Sequence, residues 1–170
     1  MCIRDRSYSH PHAEKIIEDA KVIIRESETG QSLLTSCSHH KIPIQVIKGN
    51  GPSGFNPQSR IIYLQVSGKT TESNPKIILD LIKGLREAEQ ELIGFTAPDP
   101  AKDLMEYAAV MHSKALDAIV YVCRVLKELT NSSSFPVLLD EMKKIGHITV
   151  YEAYVKNASE EELFDAYAGL

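Results

Sequence analysis

Positive charge in excess is the first thing this 170-residue chain lacks: 19 Lys and Arg stand against 23 Asp and Glu, a net charge of −4, with a pI near 5.9. Phosphate backbones and anionic lipid heads are held by clustered basic side chains, so this balance argues against nucleic acid as a partner. Long apolar runs are missing too. None approaches the ~20 residues that cross a bilayer, so no membrane span is expected and the chain reads as soluble. Cysteine is scarce, with three in the chain and none in a CxxC or metal-ligand spacing. Cys37 and Cys123 lie among apolar residues at helical intervals and read as buried free thiols, which suits a reducing cytoplasm. The sequons at Asn131 and Asn157 would matter only in a secreted chain, and nothing else argues for secretion. No internal repeat and no low-complexity tract is present.

What is there, 43 % hydrophobic residues over this length, suffices for one compact core and is too short for two. The first six residues, "MCIRDR", read as a translated sequencing adapter and are set aside with Cys2, so Met1 does not fix the native start. Residues 7–170 are then expected to form a single domain whose native N-terminal part lies partly upstream.

Apolar residues at spacings of three and four predict a helix from His12 to Arg25, with Gly30 closing the segment. Thr29 is the expected cap of a second helix carrying Leu33, Leu34 and Cys37. "IPIQVIK" and "RIIYLQV" alternate with the period of half-buried strands and are expected to pair. Between them, "GNGPSGFNPQS" matches GxGxxG at Gly49, Gly51 and Gly54. That fingerprint holds a pyrophosphate only where a helix begins directly after the loop, and here a strand follows, so the stretch reads as a hairpin loop.

A third helix is expected after "ESNP", with Ser73 or Asn74 as cap, Pro75 in the first turn and a stripe of Ile78, Leu81, Ile82, Leu85, Ala88 and Leu92, ending at Gly94. The segment from Ala101 to Thr130 is apolar on two adjoining faces and predicts a long helix at the centre of the packing. Pro136 to Ile145 is a further helix, and Ser159 with Glu162 forms an S-x-x-E capping box before the last one. The fold class expected is α+β, mainly helical, with a two- or three-stranded sheet.

The stretch "KIILDLIKGLREAEQELIGF" has the frame of a zinc-peptidase helix and contains no histidine. HExxH enzymes place two histidines one turn apart around an ion, with the Glu between them as general base. "TGQSLL", "FNPQSRIIYL" and "LIKGLREAEQ", taken together, resemble a family of bacterial metallopeptidase domains of unknown function, zincin-like and of the HExxH type. That family shows "TGxxLL", a "YDP" turn before an "xIxL" strand, a helix close to "LAHELRHAxQ" and an acidic "EADA" stretch. Leu81, Leu85, Arg86, Ala88 and Gln90 match the helix pattern, and Asp117 and Ala118 fall near the acidic stretch. The resemblance covers about residues 27 to 125 and implies a zincin-like fold and, in the family, zinc.

At the positions that would carry the chemistry it fails: Lys83 and Glu87 stand for the two histidines and Gly84 for the base. An ammonium repels the ion, a lone carboxylate does not hold it, and glycine supplies no base. Lys83 and Glu87 are instead spaced to face each other over one helical turn, a pair contributing ~0.3 kcal/mol when exposed. The plainer reading makes Lys83, Glu87 and Gln90 a solvated face opposite the apolar stripe, with Gly84 allowing close packing. No cofactor is expected.

Three functions remain open at this stage. One is a degenerate peptidase without zinc-dependent proteolysis, whose former cleft grips a peptide or protein. Another is a structural or interaction domain. The last is a hydrolase using a different metal set, with His39, His40, Glu87 and Asp117 as candidate ligands if the fold brings them together. The pair His10 and His12 is a weaker chelating candidate, and His112 reads as a hydrogen-bonded core histidine.

Overall fold

The computed structural model describes residues 10–95 and 98–169, so the proposed adapter residues 1–6 lie outside the described residues. Seven helices and a three-stranded sheet follow in the order α1 (Ala13–Ile24), α2 (Glu28–His39), β1 (Ile44–Lys48), β2 (Gly54–Asn56), β3 (Ile61–Val66), α3 (Pro75–Leu92), α4 (Leu104–Glu128), α5 (Phe135–Lys144), α6 (Ile148–Val155) and α7 (Glu160–Ala168). The α+β class is as the patterning implies. No helix among the described residues is long and apolar enough to cross a membrane.

The sheet differs from the expected hairpin. Its order is β1-β3-β2, with β1 parallel to β3 and β2 antiparallel to it. The glycine-rich connection therefore contains a strand of its own, which reverses the chain so that β3 can return alongside β1. Ile62, Leu64 and Val66 of β3 point into the core, and α3 packs on that face. Each outer edge strand is held at one point from outside the sheet. The His10 N–H bonds the Val46 carbonyl of β1 at 3.1 Å, and the Glu87 carboxylate accepts the Phe55 N–H of β2 at 2.9 Å.

Helix α3 starts where its cap predicts: the Asn74 side chain accepts the Ile77 N–H, and Pro75 occupies the first turn, where its missing N–H costs nothing. Gly94, at φ +79°, follows its end. Its stripe of Ile78, Leu81, Ile82, Leu85 and Ala88 is buried, whereas Leu92 is only half-buried. It touches α1, α2, α4, α5, β2 and β3, so its buried surface extends nearly all round. Helix α4 is central only from Ala118 onward. Its first half runs out beside the end of α3 and leaves Leu104, Met105 and Met111 exposed, against the expectation of a helix buried along its length.

The start of α2 also differs. Ser27, not Thr29, is the N-cap, accepting the Gly30 N–H at 3.0 Å, and Gly30 lies inside the helix instead of closing the segment before it. Thr29 does other work. Its backbone N–H, its hydroxyl and the Ser27 hydroxyl all donate to the Glu128 carboxylate at the end of α4. A carboxylate at a helix N-terminus also meets the positive end of the helix dipole.

Burial alone would raise the Glu128 pKa, but the bonds from Ser27 and Thr29, with the nearby Arg124 charge, hold it below the ordinary 4.5. A native pKa below the unfolded one stabilises the fold above about 4.5, and that stabilisation is lost as pH falls through the lowered native value. Glu128→Gln, which turns an amide N–H₂ toward these donors, is expected to cost ~1–2 kcal/mol in urea unfolding at pH 7. The gap to wild type should narrow as the pH is taken below 4.5; a pH-independent gap would mean that the charge is not what matters.

Cys37 and Cys123 are buried free thiols, and burial pushes both up to about 12, which makes them inert. The last helix carries the predicted capping box at Ser159 and Glu162. Helix α6 has no counterpart in the sequence reading, yet it supplies the buried Val150 and Tyr151.

Candidate functional site

Residues 83, 84 and 87 lie on the side of α3 that meets β2 and β3. Gly84 faces the sheet directly. A Cβ built on it would fall 2.7 Å from Ile62 Cγ2 and 3.8 Å from the Gly54 backbone, closer to Ile62 than real Cβ atoms come. Gly54 faces α3 from the other side: at φ +155° it holds a backbone conformation that favours glycine, and a Cβ there would fall 2.7 Å from Glu87 Oε2, the movable end of a flexible side chain. Gly84 thus lets helix and sheet close on each other, at the place where the resemblance would put a base.

The Lys83 ammonium is 3.5 Å from Glu87 Oε1, so the pair expected from spacing does form. Both side chains are half-buried, and Glu87 Oε2 is at the same time bonded to Phe55. Burial, followed by the Lys83 charge, lowers the His147 pKa from its ordinary 6.5.

A zinc ion does not fit this donor set. Lys83 brings a cation, Gly84 brings no atom, and the Glu87 carboxylate is committed to an ammonium and a backbone N–H. No group of three or more His, Cys, Asp or Glu side chains placed to hold a metal occurs among the described residues. The candidate set His39, His40, Glu87 and Asp117 is accordingly not brought together. His39 and His40 stack edge to face, exposed at the end of α2, while Asp117 is bound to Arg86. His10 is buried, and its Nδ1 accepts the His12 N–H at 3.3 Å. His112 is half-buried against Phe164 and Tyr167 of α7 and is not a core residue.

The reading of Gln90 as part of a solvated face is overturned: it is 0 % exposed, and Arg86 is buried as well. Arg86 Nε donates to Asp117 Oδ2 at 2.6 Å and Nη2 to Oδ1 at 3.2 Å, a two-point pairing with α4. Its Nη1 meets Glu89 at 2.6 Å, and its guanidinium lies 3.8 Å from the centre of the Tyr121 ring. Gln90 Nε2 donates to the Lys114 carbonyl at 2.9 Å and to Asp117 Oδ2 at 2.7 Å. These three residues fasten α3 to α4.

Two grooves flank the β2 edge and share Phe55, Pro57 and Glu87. One, about 430 Å³, lies over the outer sheet face beside Ile47 and Tyr63. The other, about 470 Å³, runs between β2 and the first half of α4, walled by Tyr107 and Met111 with Gln90 and Glu91 beneath. Sequence reasoning missed Phe55, Tyr107 and Met111 because single aromatics in a loop and on a helix carry no spacing signal. A larger groove of about 560 Å³, between α1, α2 and β1, is lined mainly by aliphatic residues and the inert Cys37. Gly49 and Gly51 line a fourth, small depression beside Asn74 and Lys76, where the Asn74 side chain already takes the Ile77 N–H. No family model, curated protein or solved structure matches this chain.

Proposed function

We propose that the protein is a metallopeptidase-like scaffold without a zinc site, and that it binds an extended peptide or protein segment in the groove between β2 and α4. The observation that carries this reading is the groove of about 470 Å³ beside Glu87, at the place where the motif helix meets the edge strand. Concave, mostly apolar clefts with a few convergent polar groups are where proteins hold ligands. The match of Arg86, Gln90 and Asp117 to the family pattern, beside the loss at Lys83, Gly84 and Glu87, supports a frame kept for shape after its chemistry went.

The test combines zinc calorimetry, fluorogenic peptide hydrolysis with added zinc, and binding of random peptide pools by fluorescence anisotropy. Expected are no stoichiometric zinc uptake, no hydrolysis, and peptide binding that weakens in Tyr107→Ala. Zinc uptake that Glu87→Ala abolishes, or zinc-dependent hydrolysis, would overturn the reading. A second reading, an interaction domain that uses no cleft, is favoured by exposed Leu104 and Met105 on the free end of α4; peptide binding indifferent to Tyr107 would support it.

A further inference from the structure

The floor of the β2–α4 groove has an unbalanced hydrogen-bond inventory. The Lys114 carbonyl and Asp117 Oδ2 are both acceptors, so the end of the Gln90 amide that meets them must be its nitrogen. Its Oε1 is thereby turned elsewhere, and it is buried with no donor among the described residues. A fully buried amide held so firmly at one end and unmatched at the other is costly, and buried polar groups are otherwise paired as a rule. Around it the groove adds more acceptors. Glu91 engages Lys114 through Oε1 at 2.6 Å, and Glu87 lies beside Phe55. Each carboxylate of the lining has one ammonium beside it, Lys83 at Glu87 and Lys114 at Glu91, so the unmatched acceptors are Gln90 Oε1 and the second oxygen of Glu91, beneath walls that include Phe55 and Tyr107.

Acceptors beneath aromatic walls select a flat cation with several diverging donors. We propose that the groove recognises an arginine side chain of the bound segment, its guanidinium donating to Gln90 Oε1 and to the Glu91 carboxylate between Phe55 and Tyr107. Arginine suits this better than lysine, because a guanidinium is planar, stacks on rings, presents five N–H donors and is more weakly hydrated. An anionic side chain would meet the Gln90 oxygen and the free oxygen of Glu91, both acceptors. Met111, unbranched and 41 % exposed, is the most adaptable side chain of the wall, and contact with the buried Oε1 requires the lining to open. The inference rests on the groove being a peptide site.

The experiment uses the full chain and three fluorescein-labelled pools of acetylated heptapeptides, randomised over small and apolar residues, with arginine, norleucine or glutamate fixed at the centre. The arginine pool is expected to bind about tenfold or more tighter than the norleucine pool, the scale of one or two hydrogen bonds to a charged group. Gln90→Met and Glu91→Gln should each shrink that ratio to about twofold or less. Gln90→Met leaves the net charge unchanged, so a general attraction of cations to an acidic chain predicts no effect from it. Should Gln90→Met fail to fold, Glu91→Gln, at the half-buried groove rim, carries the same test. Equal binding of the arginine and norleucine pools would overturn the arginine inference and leave the peptide site standing. An arginine preference that survives the folded variants would place the cation elsewhere and also overturn it. If no pool binds, both the inference and the peptide reading fall.

Discussion

Gly84→Glu, which would write the residue type of a peptidase base where the proposed metallopeptidase-like reading puts it, is expected to unfold the protein or to cost at least ~4 kcal/mol. Two effects add. The new Cβ would fall 2.7 Å from Ile62 Cγ2, a methyl group of a fully buried β-branched side chain that cannot swing away. The carboxylate beyond it would then enter the contact between helix and sheet without a partner, a burial that costs several kcal/mol. Gly84→Ala isolates the steric part. Overpacking costs ~1–3 kcal/mol, while alanine regains ~1 kcal/mol of helix propensity over glycine, so a net loss of up to ~2 kcal/mol is expected in urea unfolding. A double-mutant cycle locates the clash: Ile62→Ala removes the opposing methyl, and in that background Gly84→Ala should become neutral or stabilising. If Gly84→Ala stabilises the wild-type chain, helix and sheet are not in close contact at this position.

The consequence for the scaffold is that zinc chemistry is not one substitution away. Histidines could be written at 83 and 87, but position 84 is where the sheet rests on α3, and Glu87 is tied to the β2 edge. A glutamate at 84 would require Ile62, and with it β3, to retreat from α3.

How much of this was legible follows from which forces leave a local mark. Caps do: Asn74 with Pro75, and Ser159 with Glu162, stop and start helices through their own side chains, and both stand where the pattern puts them. Period-two burial does as well, since Ile62, Leu64 and Val66 face one core. β2 was invisible because three residues cannot display an alternation and its partner is set by tertiary pairing. Helix α6 was missed because "ITVYEAYV" is rich in β-branched and aromatic residues, and its helicity comes from packing Val150 and Tyr151, not from propensity. At the site, the Lys83 and Glu87 pair was readable as a one-turn contact. The burial of Gln90 was not, because its partners come from a helix 24 and 27 residues further along. Polar residues are scored as surface by pattern, and only the second helix reveals that the amide is enclosed.

The contact between α3 and α4 then yields the other large expected effect. Asp117→Leu should destabilise the protein by ~3 kcal/mol, at the lower end of what breaking a buried pair costs, because the Asp117 side chain is 31 % exposed and water softens the loss. The substitution strips the Arg86 guanidinium of two bonds to Asp117 and Gln90 Nε2 of one, leaving a charge with only Glu89 and the Tyr121 ring for company. Removing the charge along with its partner should reverse most of this: Arg86→Met with Asp117→Leu is expected to recover at least half of the loss, since apolar replacement of both members of a buried pair is often nearly neutral. Thermal unfolding of the two single variants and the double variant measures the coupling directly. The same pair ties the middle of α4 to α3, just beyond the half that carries the Tyr107 and Met111 wall of the groove. Peptide affinity should therefore fall in Asp117→Leu and return in the double variant along with stability. A single variant that loses under ~1 kcal/mol would show that the two helices are held by their apolar seam alone, at Ala118, Val122 and Val125, and that the polar network is a passenger of that packing.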